Sequence, residues 1–128
     1  MKPKFAAVIN CMDGRVQDSV NAWMKAYTGA TYIDVITEAG PDKIMASTAT
    51  ASRLILQRIL VSRDKHKSKQ LALVAHHDCA GNPVSKEKHM EQLTQAAKIM
   101  ATWNLEMNIL MLWVDENWKV ELISSMDA

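Results

Sequence analysis

A chain of 128 residues with 48% apolar and 23% charged side chains suits one domain with a single core, burying roughly two thirds of its unfolded surface. A formal net charge of +1 argues against long-range attraction to nucleic acid or an anionic membrane, and no apolar run approaches the ~20 residues of a membrane span. With two cysteines and no signal-peptide core after Met1-Lys2-Pro3-Lys4-Phe5, a disulfide framework is not expected and a cytoplasmic location is.

The first apolar run, Phe5 to Asn10, predicts a strand buried on both faces. After a loop, Cys11 to Arg15, the residues Val16, Val20, Trp23, Met24 and Tyr27 recur at helical spacing, and Thr28-Gly29 ends that helix. Thr31 to Thr37, rich in β-branched and aromatic residues, predicts a second strand. Ala39-Gly40-Pro41-Asp42 reads as a turn into a helix that runs to about Ser62, with Pro41 in its first turn. Leu54, Ile55, Leu56, Ile59, Leu60 and Val61 make its second half apolar around much of its circumference. Such a helix is either central or covered by another subunit. Arg63 to Lys69 is a solvated basic connection carrying His66. Gln70 to Ala75 is the clearest strand, and a third helix follows over about 85–103. Asn108 to Val114 and Trp118 to Ile123 then form a hairpin at a sheet edge, with Lys119 and Glu121 directed outward.

This alternation predicts an α/β fold of three layers: a mainly parallel sheet of four strands plus a short antiparallel edge strand, with helices on both faces. If the first and third strands are neighbours, their connections leave to opposite faces, and the crevice beyond their carboxyl ends is the usual ligand site of open α/β sheets. Cys11 ends the first strand and His76 the third. Candidate chemistry therefore falls where the fold rule puts a site.

That chemistry lies in Cys11-Met12-Asp13-Gly14-Arg15 and His76-His77-Asp78-Cys79. Taken alone, the cysteines read as small buried hydrophobes or as a disulfide between strand ends, but neither reading accounts for His76 or the Asp13/Arg15 pair. Two thiolates and an imidazole make a partial shell for zinc, with a fourth position left for water or a carboxylate. Alternation along an extended chain favours His76 over His77, with the loop turning at Asp78 to return Cys79. His77 reads as exposed or as a group behind the ligands, and His66 and His89 as surface residues. Asp13 and Arg15 are spaced to share the side of Cys11. They form an ordinary salt bridge, or a carboxylate that accepts a hydrogen bond from metal-bound water, or one that binds the metal and closes the site. The four glycines make no dinucleotide or phosphate-binding pattern, and no serine-centred nucleophile elbow is present.

The chain resembles the β-class carbonic anhydrases. Cys11-Met12-Asp13-Gly14-Arg15 is similar to that family's Cys-x-Asp-x-Arg, and His76-His77-Asp78-Cys79 to its His-x-x-Cys, in the same order and with a comparable gap. Ala39-Gly40 resembles the family's Ala-Gly turn, and the hairpin around Trp113 to Val120 has the family's look. The resemblance implies zinc on Cys11, His76 and Cys79, with Asp13 and Arg15 as a catalytic dyad or Asp13 as fourth ligand. It also implies reversible hydration of carbon dioxide to bicarbonate by zinc-bound hydroxide, in a homodimer or higher homo-oligomer. A related zinc hydrolase acting on carbonyl sulfide or carbon disulfide, and a non-catalytic zinc protein of the same fold, are the alternatives. The chain departs from the family at Thr37-Glu38, where Arg-Asn is common, and at Ala80, where glycine usually follows the second cysteine. With the first strand at Phe5, the family's N-terminal helical arm is expected to be missing.

Overall fold

A computed structural model of the chain describes residues 2–48 and 50–128. The chain order is β1 (Phe5–Cys11), a 3-10 turn (Gly14–Val16), α1 (Gln17–Thr28), β2 (Tyr32–Glu38), α2 (Pro41–Met45), α3 (Thr50–Lys65), β3 (Gln70–His76), α4 (Lys86–Ala101), β4 (Asn108–Val114) and β5 (Val120–Asp127). One sheet takes the strands in the order β2-β1-β3-β4-β5, parallel throughout except for the antiparallel pair β4/β5. This is the expected three-layer α/β architecture.

The three central strands are the continuous apolar runs. From their second residue onward β1, β3 and β4 are buried, because helices cover both faces. On one face Ile9, Leu73 and Met111 meet Met45, Ile55, Ile59 and Leu93 of α2, α3 and α4. On the other, Val8, Val74 and Leu112 meet Val16, Val20 and Met24, contributed by the 3-10 turn and α1. Gly29 closes α1 in the left-handed region at φ 73°, its N–H bonded to the carbonyl of Lys25. Ser85 caps α4, its hydroxyl accepting from the Lys88 N–H at 3.1 Å.

β1 and β3 are neighbours, and their ladder pairs only Ala7–Ile9 with Leu71–Leu73. Beyond those rungs the strands part and a crevice opens between Cys11 and His76. α1 leaves β1 toward one face and α4 follows β3 on the other, so this crevice is the switch point of the sheet.

Three local expectations are corrected, and a two-way reading is narrowed. The helix expected from Pro41 to about Ser62 is two helices: α2 stops at Ala46, whose N–H bonds back to Asp42, and α3 begins at Thr50. Ser47 and Thr48 lie between them, residue types whose hydroxyls can compete with helical backbone bonding. α3 is not central. Ile55 and Ile59 are buried, while Leu54 and Val61 are 49% and 58% exposed. The last strand is not short: it spans eight residues and pairs along all of β4, with a register shift at Met111/Leu112. Ser124 and Ser125 are exposed there, so their polarity marks an edge and not an end. Finally, His89 is not at the surface. It is 1% exposed, packed beside Trp113, with Nδ1 bonded to Asp42 of α2.

The Asp42 carboxylate also accepts from Asn82 Nδ2 at 3.1 Å, and the same amide donates to Gln92 Oε1 at 2.7 Å. This polar knot ties α2, α4 and the loop after Cys79 together inside an otherwise apolar layer. Removing one partner leaves a buried carboxylate under-satisfied. His89→Leu is expected to lower unfolding free energy by ~3–5 kcal/mol in urea titration, whereas His66→Leu at the half-exposed edge is expected to change it by less than ~1 kcal/mol.

Candidate metal centre

Cys11 is the last residue of β1 and His76 the last of β3, so each of the two diverging strand ends delivers one ligand-type side chain. The chain turns back at once. Asp78 sits at φ 55°, a left-handed conformation that aspartate tolerates better than most residues, and the turn returns Cys79 to the crevice. The two sulfurs lie 3.9 Å apart, and they and an imidazole nitrogen are all within 4.8 Å of one another. All three residues are buried, and both cysteines are free.

Backbone orients the imidazole. His76 Nδ1 lies 2.7 Å from the carbonyl oxygen of His77, which can only accept, so Nδ1 carries a proton and, in the neutral ring, Nε2 carries the lone pair. Nε2 is buried and has no hydrogen-bond partner. An acceptor left unpaired in the interior is unfavourable unless something takes its lone pair. Tetrahedral coordination at sulfur–zinc distances near 2.3 Å requires sulfurs about 3.8 Å apart, close to the separation found. The donor set and its geometry thus fit a metal ion of the zinc kind.

Burial raises the Cys11 thiol, but the His76 imidazole and the backbone N–H groups of Gly40 and Asp13 outweigh it and leave the thiol lowered to about 7. Cys79 goes the other way: burial and then repulsion from Cys11 push it up to about 11. One thiolate is therefore available near neutral pH without help, and the second needs a cation beside it.

Two glycines make this packing possible. A Cβ on Gly81 would lie 2.7 Å from the Ala39 side chain, and one on Gly40, at φ 62°, would lie 2.7 Å from Cβ of Asn82. The turn after β2 and the loop after Cys79 therefore touch backbone to backbone. That contact brings the Gly40 N–H within reach of the Cys11 sulfur.

Asp13 opens the 3-10 turn. Its Oδ1 accepts from the Arg15 backbone N–H at 2.8 Å and its Oδ2 from Nη2 of the same residue at 2.7 Å. The Arg15 hydrogen bonds hold the Asp13 carboxyl down to about 2 against partial burial, so it is ionised at neutral pH. Its oxygens face Arg15 and are not part of the sulfur–imidazole cluster. Gln17 anchors the loop from below, donating to the carbonyls of Cys11 and Asp13 at 2.7 and 3.0 Å. A cavity of about 340 Å³ opens over Cys11 and Asp13, walled by Met12, Ala39 and Ala80. A wider cleft of about 550 Å³ near Lys67 and Glu106 is open, charged surface without such a cluster.

All five sequence-predicted site residues, Cys11, Asp13, Arg15, His76 and Cys79, come together here. His77 is exposed and serves through its carbonyl, and His66 pairs with Asp34 away from the crevice. Sequence reasoning missed the second partner of Arg15: Nη1 bonds Asp78 Oδ2 at 3.2 Å and Nη2 the Asp78 carbonyl at 3.1 Å. It also missed Trp118, whose ring lies 4.7 Å from the Arg15 guanidinium carbon. Asp78 could have been suspected from its place between His77 and Cys79. Nothing in the pattern pointed to Trp118.

A family model described as "Putative carbonic anhydrase" matches residues 1–124. No curated protein matches the chain. Among solved structures, the carbonic anhydrase from Streptococcus mutans superposes with a TM-score of 0.67 at 15% identity, over 96% of this chain and 84% of that one. The carbonic anhydrase from Glaciozyma antarctica gives 0.61 at 16% identity, over 93% and 81%. One from a study of two tetrameric beta-carbonic anhydrases of Sordaria macrospora gives 0.54 at 11% identity, over 97% and 82%. At such identities the structural matches establish a shared fold. The family match spans nearly the whole sequence, and the chain belongs to this carbonic anhydrase family.

Proposed function

We propose that this single-domain chain is a zinc-dependent enzyme that interconverts carbon dioxide and bicarbonate, with Cys11, His76 and Cys79 holding the metal and Asp13 and Arg15 as the catalytic dyad. The observation that carries the reading is the buried pair of thiols around an unpartnered imidazole nitrogen, in a member of a carbonic anhydrase family. Zinc held there supplies Lewis acidity and, from water, a nucleophile at neutral pH.

The chain's own residues supply the rest. Asp13, ionised and acceptor-only, receives a hydrogen bond from the attacking hydroxyl group and sets its orientation. Arg15 fixes that carboxylate with paired N–H donors, so the acceptor does not rotate as the reaction proceeds. Met12, Ala39 and Ala80 offer an apolar wall to a small neutral molecule, and the Asp13 charge disfavours retention of an anionic product.

Protein purified without chelator is expected to carry about one zinc per chain, and Cys79→Ser to lose it on dialysis. Full zinc content in that variant would remove Cys79 from the site. In stopped-flow hydration of carbon dioxide, Asp13→Asn is expected to cost ~100-fold with zinc retained. Because the Asp13 carboxyl is lowered to about 2, its charge is present above that pH and lost only below it. The ratio of wild-type to Asp13→Asn rates should therefore stay constant between about pH 6 and 9. Zinc-loaded protein with no hydration above background, yet able to hydrolyse carbonyl sulfide, would replace the substrate and keep the site.

The same reading includes a homo-oligomer. β2 is a free parallel edge with Tyr32 and Val35 exposed, and Val61 of α3 lines a groove with Val35. Sedimentation at micromolar concentration is expected to give a dimer or larger species, and Val61→Glu to shift it toward monomer. A monomeric wild type would end this part of the proposal.

A further inference from the structure

The Arg15 side chain is 47% exposed, yet its guanidinium is met from three directions. In its plane, Nε and Nη2 bond Asp13, while Nη1 and Nη2 bond Asp78. The guanidinium carbon itself lies over the indole ring of Trp118, 4.7 Å from the ring centroid. Among the described residues, the non-glycine residues at positive φ are Lys67, Asp78, Asn104, Glu106 and Trp118. Two of these, Asp78 and Trp118, come from different loops and both meet at Arg15.

Trp118 is the aromatic residue of that set, at φ 59°, where crowding around its Cβ is unfavourable and a glycine would sit freely. The β4–β5 turn holds it there. Asp115 Oδ1 accepts from the N–H groups of Asn117 at 2.8 Å and Lys119 at 3.0 Å, and the Asp115 carbonyl accepts from Trp118 at 2.9 Å. Both chain neighbours of the tryptophan are therefore tied to one carboxylate. Strain of this kind persists only where the surroundings over-determine it, and it gathers at functional sites.

We propose that Trp118 is a positioning residue for the Asp13–Arg15 pair, its indole face confining the guanidinium that in turn aims the carboxylate. The proposal rests on reading Asp13 and Arg15 as the catalytic dyad. Trp118 also packs against the apolar cluster beneath α1, so plain packing must be separated from the stacking itself. In-plane bonds to a half-exposed arginine and to Asp78, 69% exposed, resist sliding poorly. The ring face beneath the cation attracts it and keeps water off that side. An aliphatic side chain of similar bulk would cover the core and leave the arginine free.

The experiment uses full-length, zinc-loaded protein with Trp118→Phe, Trp118→Leu and Trp118→Gly. Solvent exchange of the Arg15 Nε–H, followed by ¹⁵N NMR, is read beside carbon dioxide hydration and zinc content. Leu and Gly are expected to speed the exchange about 3- to 5-fold and to lower kcat by a similar factor, with zinc unchanged. Phe, which keeps an aromatic face, is expected to restore most of both. Gly relieves the left-handed backbone, so it supplies a folded variant without the indole even if Leu fails to fold. Exchange that is unchanged in Leu and Gly, or equally fast in Phe and Leu, overturns the proposal. If the exchange pattern appears as expected while no variant, wild type included, hydrates carbon dioxide, the positioning stands and the assigned reaction falls.

Discussion

The short ladder between β1 and β3 is the constraint on which the rest of the site depends. Three rungs, from Ala7 to Ile9 against Leu71 to Leu73, hold the two strands in register, and beyond them the backbones part. Parallel strands whose crossovers run to opposite faces have no connection to fill that gap. Whatever side chains stand at the two strand ends therefore face one another across it. Cys11 and His76 are those side chains. The sharp turn at Asp78 adds Cys79 without a further element of structure.

Holding such a crevice open requires that the surrounding backbone be rigid, and the chain achieves this by close approach rather than by bulk. Gly40 and Gly81 let two loops meet main chain to main chain, while the Asp42–Asn82–His89 knot fastens the same loops to α2 and α4 from behind. The knot lies inside the layer formed by α2, α3 and α4, where a polar group is tolerated only when its partners are complete. Fixed backbone N–H groups then point toward the Cys11 sulfur and help to lower its thiol before any cation is counted.

The charged half of the site is built differently. Asp13, Arg15 and Asp78 lie in or near solvent, where ion pairs are weak and side chains wander. Order there comes from geometry: the 3-10 turn caps on Asp13, the guanidinium fork spans two carboxylates, and the Trp118 ring lies against the cation. The buried half is suited to gripping a cation, and the exposed half to meeting a small molecule from solvent. The two are joined through the two-residue step from Cys11 to Asp13.

Much of this was legible in the residues themselves. Uninterrupted apolar runs can be buried only on both faces, so the central strands and the α/β class followed from Phe5 to Asn10, Gln70 to Ala75 and Asn108 to Val114. The thiols, the imidazole and the Asp13/Arg15 pair were legible because local chemistry and spacing are properties of the chain alone. Tertiary structure decided what depends on distant partners. His89 looked like a surface residue because its helix position is flanked by charges, and only Asp42, 47 residues away, makes its burial favourable. The break between α2 and α3, the full length of β5 beyond its serines, and the exposure of Leu54 and Val61 likewise depend on what packs alongside. Trp118 reached Arg15 only through a turn whose strain no local preference predicts, since propensity records what a residue favours alone and not what its neighbours can hold it to.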